Sequence, residues 1–194
     1  MGRIHEAMNW DHIAEEYLAV ADEVFGSLRR TVDDLAEEVA ERLRNGGKIM
    51  VCGNGGSAAD AQHLAGEMVN RFLKERRPYA AIALSTDTSV ISAIGNDFGY
   101  EFVFEKQVRA LGRNGDVLIA ISTSGDAANV CRAVERAGPL NILTVGLTGG
   151  TGGQLIKLAN RPVCISSSKS TPRIQEGHQL VIHALCERVE EILG

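Results

Sequence analysis

One stretch, Lys48 to Glu67, decides most of what this chain can fold into: K-I-M-V-C-G-N-G-G-S-A-A-D-A-Q-H-L-A-G-E. Ile49 to Cys52 is a short apolar run of the kind that forms a fully buried strand. Gly53, Gly55 and Gly56 follow, broken only by Asn54, so the backbone can turn sharply and approach a ligand closely. Ser57 is a natural helix N-cap, with Asp60 in the first turn behind it. Strand, glycine turn and helix start in succession leave free backbone N–H groups on which an anion can sit. One turn further, His63 and Glu67 stand at i and i+4 and share a helix face. A ligand-binding turn therefore leads straight into an imidazole–carboxylate pair.

The 194 residues suit one domain with a substantial core, and 44% apolar with 23% charged residues is the balance of a soluble globular protein. A net charge of −5 argues against a nucleic-acid surface, so any anionic ligand must be held by local N–H groups and hydroxyls. No apolar run approaches ~18 residues, so no membrane partner is expected. The stretch from Met1 to Asp11 has neither a signal-peptide core nor a myristoylation pattern. Cys52, Cys131, Cys164 and Cys186 are scattered without C-x-x-C spacing. They read as reduced structural thiols of a cytoplasmic protein and not as a thiolate zinc site.

Residues 9–45 read as two helices, with Ala14, Tyr17, Leu18, Ala21, Val24 and Phe25, then Val32, Leu35, Val39 and Leu43, at helical spacing. These stripes could cover the sheet or meet another subunit; lying ahead of the first strand, they favour oligomerisation, and 1–47 is taken as a helical extension of a domain at 48–194. From Lys48 onward, candidate strands at Ile49–Cys52, Ala80–Leu84, Asp116–Ile121, Ile142–Leu147 and Arg161–Ile165 alternate with helices at about 57–74, 88–95, 100–111, 127–137, 152–158 and 172–193. Such alternation predicts an α/β three-layer sandwich around a mostly parallel sheet, with ligands at the carboxyl ends of its strands.

A second glycine-and-hydroxyl loop, I-S-T-S-G-D-A, follows the strand ending at Ile121. Ser122, Thr123 and Ser124 supply hydroxyls there and Gly125 lets the backbone wrap, which suits a phosphate cradle as well as an ordinary capped turn. G-N-G-G-S-A lacks the third glycine of a dinucleotide fingerprint, and no Walker lysine is present. Asn96-Asp97, in A-I-G-N-D-F-G-Y-E, reads as a polar turn between helices. On the last helix Gln175 and His183 are eight residues apart and fall roughly on one side. His63 and Glu67 with Gln175 and His183 could close around one divalent metal, for which the donors suit zinc and leave other metals open.

C-G-N-G-G-S-A-A-D-A-Q-H-L-A-G-E, A-I-G-N-D-F-G-Y-E, I-S-T-S-G and R-I-Q-E-G-H…H together resemble the phosphoheptose isomerases of the sugar isomerase (SIS) family, in the same order and over nearly the whole chain. The resemblance implies a five-stranded parallel sheet and a homotetramer with active sites between subunits. It implies conversion of sedoheptulose 7-phosphate to D-glycero-D-manno-heptose 7-phosphate, the first step of bacterial heptose supply for lipopolysaccharide core or other surface glycans. Asn54, Gly55, Gly56 and Ser57 match the family's first substrate loop, Asn96 and Asp97 its sugar contacts, and Ser122, Thr123 and Ser124 its phosphate loop. His63, Glu67, Gln175 and His183 match its zinc ligands, with Glu67 and Gln175 also facing substrate. Glu67 is then the carboxylate base and His183 the partner that moves protons between oxygens. Ala127 departs from the pattern, since relatives commonly carry serine there, and Asp126 beside it opposes an anion. Isomerases of other sugar phosphates, and non-catalytic SIS regulators that bind a replication initiator protein, are the alternatives; the latter lose the catalytic set that this chain keeps.

Overall fold

The structure, a computed structural model, describes residues 9–194, so the expectations placed on residues 1–8 lie outside it. Five apolar runs form one parallel sheet, β1 (Ile49–Gly53), β2 (Ala81–Ala83), β3 (Val117–Ile121), β4 (Leu143–Gly149) and β5 (Arg161–Ile165), in the order β2-β1-β3-β4-β5. The helices are α1 (Trp10–Phe25), α2 (Arg29–Arg44), α3 (Gly56–Val69), α4 (Thr88–Phe98), α5 (Val103–Leu111), α6 (Ala128–Ala137), α7 (Leu155–Leu158) and α8 (Thr171–Leu193). Side chains alternate across the strands, which sorts the core into two layers. Ile49, Val51, Val117, Ile119 and Ile121 face α1, α2, α3 and α8, while Met50, Cys52, Leu118 and Ala120 face α4 to α7. This is the expected three-layer α/β sandwich.

The helical hairpin divides its apolar residues. Val32, Leu35, Val39 and Leu43 of α2 are buried in the same core as the strands, a gross gain of roughly 6–12 kcal/mol. Of α1, Val20 and Val24 join them, while Trp10, Tyr17, Leu18 and Phe25 remain exposed. Both helices rest on α8.

Several boundaries differ from expectation. The helix predicted to run to 74 stops at Val69, because the chain then wraps a carboxylate. Glu190 of α8 accepts the backbone N–H groups of Phe72, Leu73 and Lys74 at 2.9–3.1 Å, and pairs with Arg76 at 3.1 Å. Arg76 in turn donates to the carbonyls of Glu67 and Met68, satisfying the end of α3. Burial pushes the Glu190 carboxyl up, but the three N–H groups and the guanidinium together outweigh it and hold it below the usual glutamate range. Asn96 and Asp97 lie within the last turn of α4 and not in a loop; Asp87 caps that helix through Val90 N–H, and it runs on to Gly99 at φ 103°. Of the helix predicted over 152–158, the last turn alone forms, since Gly150, Gly152 and Gly153 all adopt positive φ. The stretch 100–111 splits into a 3₁₀ turn and α5.

Candidate active site

β1 has β2 on one side and β3 on the other, so the loops leaving β1 and β3 diverge at the point where strand order reverses. After β1 the turn is so tight that a Cβ on Gly53 would lie 2.6 Å from the Ser57 carbonyl oxygen. Gly55, at φ 56°, takes the N-cap position expected of Ser57, which instead lies buried in the first turn of α3. The Asn54 side chain forms a reciprocal amide pair with Asn129 of α6, both bonds 2.9 Å, and accepts from Tyr100 Oη at 3.2 Å. Asn54 thus clasps the two loops together, and its side chain is committed to protein partners.

The loop after β3 folds on its own hydroxyls. Ser122 Oγ accepts Gly125 N–H and Ser124 Oγ accepts Asp126 N–H, each at 3.2 Å. Asp126 turns its carboxylate onto Gln154 N–H, 3.0 Å away. Ala127 is the N-cap of α6, with extended backbone and no side-chain hydrogen bond. A cavity of about 320 Å³ opens over this loop, lined by Thr123, Ser124, Gly150, Thr151, Lys169 and Thr171 among others.

Beyond the cavity α3 and α8 run parallel and meet as a polar ladder. Gly56 faces Gln175, whose Nε2 would lie 2.2 Å from a Cβ placed there. Gln179 donates to Asp60 Oδ1. His63 Nε2 and His183 Nε2 approach to 2.9 Å, and Glu67 Oε1 is 3.4 Å from His63 Nε2. Phe72 lies against the His183 ring, at 5.6 Å between centroids. Burial pushes the Asp60 carboxyl up, which the Gln179 bond and nearby His63 offset in part, and its Oδ2 has no hydrogen-bond partner among the described residues.

Of the residues singled out in the sequence, His63, Glu67 and His183 converge. Gln175 belongs to the same face but sits at the Gly56 end, eight residues or about 12 Å of helix axis from His183. Asn96 and Asp97 are exposed, and their side chains bond one another at 2.8 Å. Among the described residues no group of three or more His, Cys, Asp or Glu side chains is gathered at metal-binding separation. The donor set still has a divalent ion's chemistry: two Nε2 atoms this close require one to donate and the other to accept, or a cation in place of the shared proton. Asp60 and Gln179 gained no role from sequence, although 60/63/67 and 175/179/183 are spaced as two helix stripes. Lys169, Asn129 and Tyr100 carried no such signal.

An open parallel sheet with hydroxyl loops at its switch point and a histidine–carboxylate ladder beside them is the arrangement of a sugar-phosphate-handling SIS domain. The chain belongs to the SIS domain family, which matches residues 13–149. It is 52% identical over 164 residues to phosphoheptose isomerase 1 of Campylobacter jejuni, covering 84% of this chain and 88% of that one. To the phosphoheptose isomerase of Roseiflexus it is 50% identical, covering 90% and 93%. Among solved structures, the phosphoheptose isomerases of Neisseria gonorrhoeae (45% identity, TM-score 0.84) and Francisella tularensis (38%, 0.88) each superpose over 93% of this chain and 96% of their own. The expected five-stranded SIS fold is confirmed by these likenesses.

Proposed function

We propose that this chain is a phosphoheptose isomerase, an aldose–ketose isomerase that converts sedoheptulose 7-phosphate to D-glycero-D-manno-heptose 7-phosphate for bacterial surface glycans. The observation that carries this reading is the meeting of His63, Glu67 and His183 between α3 and α8, the latter also lining with Thr171 and Ile174 the cavity over the hydroxyl loop after β3. The Glu67 carboxylate takes the proton from C1 of the ketose as the C1–C2 double bond forms and O2 gains a proton. The O1 proton then leaves, the aldehyde forms at C1, and Glu67 returns its proton to C2. His183 moves the proton between O1 and O2. Ser122, Thr123 and Ser124 hold the phosphate end, and Gln175 with Gly55, Gly56 and Ser57 positions the chain of hydroxyls between. A zinc ion held by His63, Glu67 and His183 would polarise the carbonyl, while Gln175, at the Gly56 end of the same face, stays with the substrate. Asn96 and Asp97 serve the sugar of a neighbouring subunit in a homotetramer. The exposed apolar residues of α1 and the groove of Val69, Ile82 and Leu111 along the β2 edge supply contact surface for that assembly. No helix of the described residues is long and apolar enough to cross a membrane, and all four cysteines are free, which suits a cytoplasmic enzyme.

A coupled assay across ketose phosphates, with and without chelator, tests this. The wild type should isomerise sedoheptulose 7-phosphate, and Glu67→Gln should abolish turnover with an unchanged melting temperature. Chelation should remove about one zinc per subunit, measured by elemental analysis, and lower the melting temperature. Inactivity on every ketose phosphate combined with capture of an initiator protein would hand the chain to the regulator reading.

A further inference from the structure

We propose that Lys169 is the cationic contact for the substrate phosphate, a role that rests on the isomerase reading above. Among the described residues, Lys169 is the one charged residue lining the cavity over Thr123 and Ser124. No ion pair among the described residues involves it. Its base is fixed. Ser166 and Ser167 donate backbone N–H and hydroxyl groups to Glu23 of α1, and Ser170 N–H bonds Ser168 Oγ at 3.0 Å. The backbone on both sides of Lys169 is therefore pinned where the residue lines the cavity.

Two carboxylates bonded to these loops keep their negative charge, which Lys169 is there to offset. Glu23 accepts from the two serines, and Asp126 from Gln154 N–H. The chain as a whole carries −5, so attraction at this end must be local. The loop also lacks a hydroxyl at Ala127, which caps α6 with nothing. A phosphate monoester bears about −1.5 to −2 at neutral pH and accepts charge-assisted bonds. Lys169, just ahead of α8, supplies the positive charge that the hydroxyl loop itself lacks.

The experiment measures binding of inorganic phosphate by calorimetry, and KM and kcat for sedoheptulose 7-phosphate, in wild type, Lys169→Ala, Lys169→Glu and Lys169→Arg. Lys169→Ala should weaken phosphate binding and raise KM by about tenfold, with Lys169→Glu worse, Lys169→Arg near wild type, and the loss falling on KM more than kcat. The gap between wild type and Lys169→Ala should narrow at ~0.5 M salt. If the wild type isomerises the sugar and both Lys169→Ala and Lys169→Glu bind phosphate within twofold of it, the lysine assignment falls and the isomerase stands. If phosphate binding tracks the lysine charge but no ketose phosphate is turned over, the anion site stands and the reaction assigned to it falls.

Discussion

Glu190→Gln perturbs the contact on which the end of α3 depends. Glu190 and Arg76 side chains are each 2% exposed. One carboxylate oxygen accepts Phe72 N–H and Arg76 Nε, the other Leu73 N–H and Lys74 N–H. An amide can replace one oxygen only, so its NH₂ is left facing two donors, and the guanidinium loses its counter-charge. Two unmet buried donors at about 1–3 kcal/mol each, with an uncompensated buried cation, put the loss at about 3–5 kcal/mol. For a chain of this size that lowers the melting temperature on the order of 10 °C. The pH dependence follows from the direction of the shift. A glutamate held below its ordinary value stabilises the fold above the unfolded-state pKa, and that contribution disappears as pH falls through the lower, folded-state value. Urea melts of wild type and Glu190→Gln should therefore differ by a constant amount from roughly pH 5.5 to 7.5, and the difference should shrink only as pH falls below the ordinary glutamate value and through the lowered folded-state one. Adding Arg76→Met should recover part of the loss, since the stranded charge is then gone. A difference under about 1 kcal/mol, or one that persists unchanged into acid, would refute this account of the segment.

Ala127→Ser supplies the missing N-cap of α6 and should raise stability by about 1 kcal/mol, seen as a rise in melting temperature of a few degrees; no change would mean the cap position is already satisfied. Gly125→Ala and Gly56→Ala should part company. At Gly125, φ is 72° and a Cβ would lie 2.0 Å from the Gly152 carbonyl oxygen, so the variant should lose several kcal/mol, about the worst of single changes, and yield little folded protein. At Gly56 the obstacle is the movable end of Gln175, so the fold should hold while KM rises; equal behaviour of the two in a thermal melt would contradict the geometry.

The sheet was legible because its strands announce themselves: V-L-I-A-I and I-M-V-C are apolar without alternation, as strands buried on both faces must be. The imidazole–carboxylate pair was legible for a different reason, since i, i+4 spacing on one helix places His63 over Glu67 whatever else the chain does. What stayed hidden depends on partners far away in sequence. Nothing before Val69 says that α3 ends there, because the cause is a carboxylate at position 190. Ser57 looks like a cap by composition, yet the clasp of Asn54 with Asn129 shifts the helix start to Gly56. Asn96-Asp97 carries loop-like composition but is drawn into α4 by the capping aspartate nine and ten residues upstream. Lys169 sits among serines with no periodicity to read, and its significance arises where β3 and α8 come together.

Because Gly56 meets Gln175, Asp60 meets Gln179 and His63 meets His183, at separations of 119, 119 and 120 residues, the two helices stay within one residue of a common register along their length. A residue inserted into either would turn everything beyond it by about 100° and unmatch every later rung in one stroke. Between Asn70 and Tyr79, outside any helix or strand, the same insertion would be absorbed wherever it spares the Glu190 contacts. Length variation in descendants of this chain should therefore be written into that irregular segment and shut out of the stretches 56–67 and 175–190, where only substitution is open.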